Sequence, residues 1–250
     1  MKKGIPCIAI SFLFLILSSC TDMNKPLVIG HRGAMGHETE NTLASVQKAL
    51  DLGVDMIEID VFQIASGEIM VFHDERLERL TNGGGAIEEY NIVDLKQLSL
   101  DGGHKIPMLQ DVMKLIDKKV KLNIELKGKN TANRVNFIID YYIKEKGWKL
   151  EDFLISSFHW DTLEAMRALN PDIAIAVLTE EDPLDAIAMA KTLRAEAINP
   201  DFEKLTQENA NAMRDAGFKI YTWTVNDEAD IEAAKRMGVD GIITNYPERL

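Results

Sequence analysis

At 250 residues, with 46% hydrophobic and 27% charged side chains, the chain has the make-up of one large globular domain or two small ones. Its formal charge of −12 repels nucleic acid and anionic membrane faces, so neither is an expected partner, and a phosphate substrate needs a locally positive site.

Lys2 and Lys3 open the chain and the apolar run 5–17 follows, too short to cross a bilayer comfortably; it reads as a signal peptide. Leu17-Ser-Ser-Cys20 resembles a bacterial lipobox. That resemblance implies a leader over 1–19, lipidation of Cys20, a polar tether over 20–25 and a mature domain over 26–250. The mature protein is then expected to be exported and lipid-anchored to a bacterial membrane, on its periplasmic or cell-surface side, with the lipid as its one membrane contact. Cys7 leaves with the leader, so no cysteine pair remains for a disulfide and the fold must rest on its core.

Past the tether, apolar runs alternate with runs of helical period. Strands are expected at 27–29, 56–62 with an extension at 69–72, 121–127, 153–157, 173–178, 197–199, 219–225 and 241–244. Helices are expected at 42–52, 109–116, 132–146, 160–169, 183–194, 208–216 and 227–237, with Pro183 placed in a first turn. Eight strands with helical crossovers predict an α/β fold, a (β/α)8 TIM barrel. A doubly wound open sheet is the alternative, but no glycine fingerprint follows the first strand. The long polar stretch 75–107, with glycines at 83–85, predicts an insertion between strand two and its helix. The chain closes just after the eighth strand, so a last helix is expected to be short or missing. Trp148 and Trp160 read as surface-helix packing.

The stretch 121–127 carries the sharpest signal. Leu122, Ile124 and Leu126 alternate with Asn123, Glu125 and Lys127, as in a half-exposed antiparallel strand. The helical runs on either side instead imply a parallel sheet, covered on both faces. Glu125 and Lys127 on an inner face are costly there unless a ligand uses them. Glu58 and Asp60 likewise share one face of strand two, and with Glu125 they make three carboxylates that converge. Such a cluster raises its own pKa values unless a cation intervenes, and oxygen ligands suit one hard divalent ion, Ca²⁺ or Mg²⁺.

His31 and His73 close two adjacent strand ends, and an imidazole pKa of about 6.5 suits proton transfer near neutrality. Arg32 and Lys127 supply fixed positive charge for a phosphate, or pair with the neighbouring acids. Ser157 and Trp223 face the same rim, where Trp223 lines the substrate side or packs the barrel. His37, His104 and His159 have no such company and receive no role.

His31-Arg-Gly, Glu40-Asn-Thr, Glu58-Ile-Asp60, His73-Asp74, Ile124-Glu-Leu-Lys127 and Thr244-Asn-Tyr-Pro247 together resemble the glycerophosphodiester phosphodiesterase family, from about Val28 to Pro247. The resemblance implies a barrel, a metal on Glu58, Asp60 and Glu125, catalytic His31 and His73, phosphate contacts from Arg32 and Lys127, and a small insertion at 75–107. Thr39 stands where a Pro usually precedes Glu-Asn-Thr, which loosens a loop without touching a reacting group. The expected activity is metal-dependent hydrolysis of glycerophosphodiesters to sn-glycerol 3-phosphate and an alcohol, with no obligate protein partner. Which His is acid and which is base stays open. The alternatives are a related phospholipase-type phosphodiesterase acting on intact lipid, and a non-catalytic lipoprotein that captures anions.

Overall fold

The computed structural model describes Met1, residues 25–128 and residues 130–250; the expected leader, Cys20 and most of the tether lie outside the described residues. Strand β1 (Leu27–Gly30) leads to helix α1 (Leu43–Asp51), β2 (Met56–Gln63) and the short β3 (Ile69–Val71). A long segment holding the one-turn α2 (Ile92–Leu95) then reaches α3 (Leu109–Ile116) and β4 (Lys121–Leu126). Strands and helices alternate from there: α4 (Thr131–Lys146), β5 (Phe153–Ser157), α5 (Trp160–Leu169), β6 (Ala174–Thr179), α6 (Ala186–Leu193), β7 (Ala197–Pro200), α7 (Gln207–Asp215), β8 (Lys219–Thr222), α8 (Glu228–Met237) and β9 (Gly241–Thr244). All strand pairs are parallel except β2–β3, and β1 pairs with both β2 and β9. The sheet therefore closes into an eight-stranded parallel barrel, the expected (β/α)8 architecture rather than an open sheet.

The alternation of side chains divides the molecule. Outward residues such as Ile57, Ile59, Ile124, Ile155, Val177 and Ile242 pack against the helical layer in one continuous core. Burying each of these aliphatic side chains stabilises by about 1.5–3 kcal/mol. Inward, Ile29, Met56, Leu154, Ala176, Ala197, Tyr221 and Ile243 form an apolar plug. Two residues farther along the strands the inner face turns polar, with Glu58, Asn123 and Ser156 buried. Asp60 and Glu125 are buried one strand step beyond Glu58 and Asn123. Charge thus sits above a dry floor, toward the C-terminal ends where barrels place their chemistry.

Between β3 and α3 the chain builds a second, smaller core in which Phe62, Met70 and Phe72 meet Leu77, Ile87, Leu95, Leu100 and Ile106. The polar look of 75–107 hid these spaced apolar residues. The hairpin that starts it turns at Gly67, whose φ of 95° lies in the left-handed region.

Several boundaries differ from expectation. Pro183–Asp185 is a 3₁₀ turn ahead of α6, and β8 stops at Thr222, leaving Trp223 in an isolated bridge with Asp201. A 3₁₀ turn, Pro247–Arg249, follows β9. Trp148 is not surface packing: it is buried and stacks on Phe153 at 5.0 Å. Gly147, left-handed with φ 72°, ends α4 and sends the chain back under the helix, which is how Trp148 reaches the core. Trp160 is partly buried and donates Nε1–H to Leu178 O.

Candidate active site

Register builds the acidic cluster. In the β2–β4 pairing Glu58 lies opposite Asn123 and Asp60 opposite Glu125. Neighbouring strands are about 4.8 Å apart, so two carboxylates in register are forced close. One ligand oxygen from each of Glu58, Asp60 and Glu125 lies within 4.8 Å of the others. Burial, then the neighbouring carboxylates, pushes Glu58 well above the usual carboxylate range. Burial and Asp60 push Glu125 up to about 7, against the opposing pull of Lys127. Glu58 Oε1 is buried with no hydrogen-bond partner among the described residues. Three buried carboxylates, one with an orphaned oxygen, fit a hard divalent cation, and their donor set selects oxygen-loving ions.

The β1 loop supplies the next layer. Arg32 has a left-handed φ of 49°, which turns its N–H to donate to Glu58 Oε2 at 2.9 Å. Gly33 follows at φ 84°, where a Cβ would stand 2.5 Å from Ser45 backbone. Ser45 is also part of the capping box that starts α1 with Thr42, and its Oγ donates to Arg32 O. Just before that cap, Asn41 adopts φ 58° and donates Nδ2–H to Asp60 Oδ2 at 2.8 Å, while accepting from Asp60 N. The Glu-Asn-Thr run thus caps a helix and holds the Asp60 carboxylate at once.

Two fixed cations flank the cluster. Lys127 Nζ lies 2.9 Å from Glu125 Oε1 and 3.9 Å from Asp60 Oδ1. Arg32 Nε lies 3.3 Å from Asp60 Oδ2, and its Nη1 donates to Glu40 Oε1 at 2.6 Å. The pairing of Arg32 and Lys127 with acids, expected as one alternative, is the arrangement observed.

Both strand-end imidazoles have a fixed Nδ1 edge. His31 Nδ1 donates to Asn245 Oδ1 at 2.7 Å, and His73 Nδ1 to Asp74 Oδ1 at 2.7 Å. Each Nε2 is therefore the nitrogen outside these two bonds, and that of His73 lies 3.4 Å from Lys127 Nζ. Burial, with Arg32 nearby, lowers His31 to about 4. His73 is lowered as well, chiefly by burial, against the pull of Asp60 and Asp74.

His31, Arg32, Glu58, His73, Glu125 and Trp223 line one cavity of about 440 Å³, its open mouth included. Trp223 forms part of the wall, donating Nε1–H to Asn199 O and meeting Phe158 edge to face. Ser157 does not reach this space; its Oγ donates to Leu126 O, and Ser156 takes the inward position, as the alternation along β5 requires. Asn123, Ser156 and Phe158 line the cavity without having been singled out in the sequence. The polar alternation 121–127 was the available signal for Asn123. His37 pairs instead with Glu248 at 2.9 Å, outside the cavity lining.

Comparison with known proteins agrees with this geometry. The model of the Glycerophosphoryl diester phosphodiesterase family matches residues 31–249. A glycerophosphodiester phosphodiesterase of Caldanaerobacter subterraneus subsp. tengcongensis is 34% identical over 235 residues, covering 90% of this chain and 96% of that protein. A human lysophospholipase D is 25% identical over 268 residues, 89% of this chain and 84% of its own. Among solved structures, a phosphodiesterase of Oleispira antarctica in complex with the product sn-glycerol-3-phosphate is similar with a TM-score of 0.81 at 29% identity, covering 90% of this chain and 94% of that one.

Proposed function

The chain belongs to the glycerophosphoryl diester phosphodiesterase family and is a phosphoric diester hydrolase, and from that premise we propose that it releases sn-glycerol 3-phosphate and an alcohol by metal-assisted acid–base catalysis. The observation that carries this reading is the convergence of two imidazoles, each tied at Nδ1, with Arg32, Glu58 and Glu125 in one cavity. The product named for the Oleispira antarctica complex supports the choice of sn-glycerol 3-phosphate.

Glu58, Asp60 and Glu125 would hold a Ca²⁺ or Mg²⁺ ion, which supplies Lewis acidity and screens phosphoryl charge when bound. Arg32 and Lys127, beside the same carboxylates, supply fixed positive charge for the phosphoryl oxygens, Arg32 through a planar fork. His31, held neutral by burial and with Nε2 free, takes the proton from the attacking oxygen. Burial lowers His73 and so makes its imidazolium the stronger acid; with Asp74 accepting from Nδ1, its Nε2 is the nitrogen that donates the proton to the leaving alkoxide. Trp223 and Phe158 bound the space for the organic groups.

The apolar run 5–17 and the lipobox-like Leu17-Ser-Ser-Cys20 support export and a lipid anchor as part of this reading. Similarity to a lysophospholipase D favours one second reading, action on a lipid-borne diester. Turnover of soluble glycerophosphocholine compared with release from lysophospholipid vesicles separates the two. Soluble turnover yielding sn-glycerol 3-phosphate is the expected result; release only from vesicles would replace the first reading by the second.

A further inference from the structure

We propose that Arg79, carried by the inserted segment, is a positioning residue that locks Asp74 and Glu40 into one frame and through them orients His73 and Arg32. Its guanidinium is almost fully committed. Nε donates to Asp74 Oδ2 and Nη2 to Asp74 Oδ1 at 3.0 Å; Nη1 donates to Glu40 Oε2 at 2.9 Å and Nη2 to Glu40 Oε1 at 2.7 Å. The two carboxylates come from different parts of the chain, Glu40 from the loop after β1 and Asp74 from the end of the β3 extension. Each holds a group that faces the cavity: Glu40 Oε1 also accepts from Arg32 Nη1 at 2.6 Å, and Asp74 Oδ1 accepts from His73 Nδ1 at 2.7 Å.

A surface ion pair is worth little by itself. Here Glu40 is buried at 7% exposure, while the Arg79 side chain that reaches it remains 47% exposed. Arg79 stands behind the cavity wall and does not line it. Its backbone is held by the second core, through buried Leu77 and the bond from Thr81 N to Leu77 O. The insertion thereby reaches the candidate site through one side chain. A lysine carries the charge but is a point donor, and cannot hold two carboxylates at once by two forks.

The inference rests on the roles given to His73 and Arg32. The test is kcat and KM for glycerophosphocholine with Arg79→Ala and Arg79→Lys, beside Ca²⁺ affinity, Tm and a His73→Ala control. Groups that orient a reacting residue are worth about 10–100-fold, so Arg79→Ala should lose that much kcat with Ca²⁺ affinity changed by less than about threefold. Arg79→Lys should recover only part of it, and dilute guanidinium should raise the turnover of Arg79→Ala severalfold. Wild-type kcat in Arg79→Ala or in Arg79→Lys would overturn the inference. So would a loss that follows Tm and does not respond to guanidinium. An active His73→Ala enzyme would instead sink the role given to His73, a separate failure.

Discussion

Asp60 and Glu125 are register partners on neighbouring parallel strands, and both carboxylates point into the barrel. The β2–β4 pairing that builds this side of the barrel is the same pairing that presses like charges together. Lys127 Nζ, 2.9 Å from Glu125, offsets part of that repulsion, and Glu58 adds a third carboxylate with an oxygen left unpartnered among the described residues. A divalent cation held there would offset the repulsion that the strand register creates.

Glu125→Gln keeps the shape and removes one of the charges. Ca²⁺ or Mg²⁺ affinity measured by titration calorimetry should fall by at least about tenfold, since even groups one layer out from a metal are worth 10–100-fold. Wild-type affinity in this variant would make the strand a structural feature only.

Protons compete with the metal. In metal-free protein Glu125 is raised to about 7 and Glu58 is raised as well, both first by burial. A raised carboxylate binds its proton more tightly folded than unfolded, so its contribution is present below the unfolded value of about 4.3 and is lost as pH rises through the folded one. The lowered His31 and His73 act in the opposite sense up to the unfolded imidazole value of about 6.5, so the Tm of stripped protein should fall above it, between pH of about 6.5 and about 8. Saturating Ca²⁺ should reverse the trend. A stripped protein that gains stability across that window would contradict the assignment.

The two imidazoles should separate by leaving group. His31→Ala and His73→Ala should each lower turnover of glycerophosphocholine by about 10²–10⁴-fold. With a nitrophenyl ester, whose leaving group needs no proton, His73→Ala should recover most of its activity while His31→Ala stays slow. The opposite pattern would exchange the two roles.

Lys127→Ala should bind metal nearly as wild type, because the lysine is a counter-charge and not a ligand. Its deficit is expected in KM or kcat for the phosphodiester, read from steady-state kinetics. Complete loss of metal binding would show that Lys127 holds the cluster together.

Much of this was legible in the chain. Strand order, the barrel and the inward-facing positions of Glu58, Asp60 and Glu125 follow from period-two alternation flanked by helical runs, which depends on local spacing alone. Ser157 was misplaced because one residue of register reverses the face of a strand, and Ser156 holds the inner position. Arg79 was not singled out, and Asn41 was read only within the Glu40-Asn-Thr motif with no contact of its own, for another reason. Their partners lie 39 and 19 residues away in sequence, and no periodicity reports a contact across loops. Trp148 misled because the left-handed Gly147 reverses the chain where helical spacing would have continued outward.

The central claim is that the carboxylate cluster works as a metal site in diester hydrolysis. The direct measurement is ³¹P NMR of glycerophosphocholine incubated with EDTA-stripped enzyme, before and after adding back Ca²⁺ or Mg²⁺. Silence in the stripped sample and appearance of sn-glycerol 3-phosphate on add-back is the expected result. Undiminished turnover without metal, or phosphocholine as the phosphorus product, would contradict it.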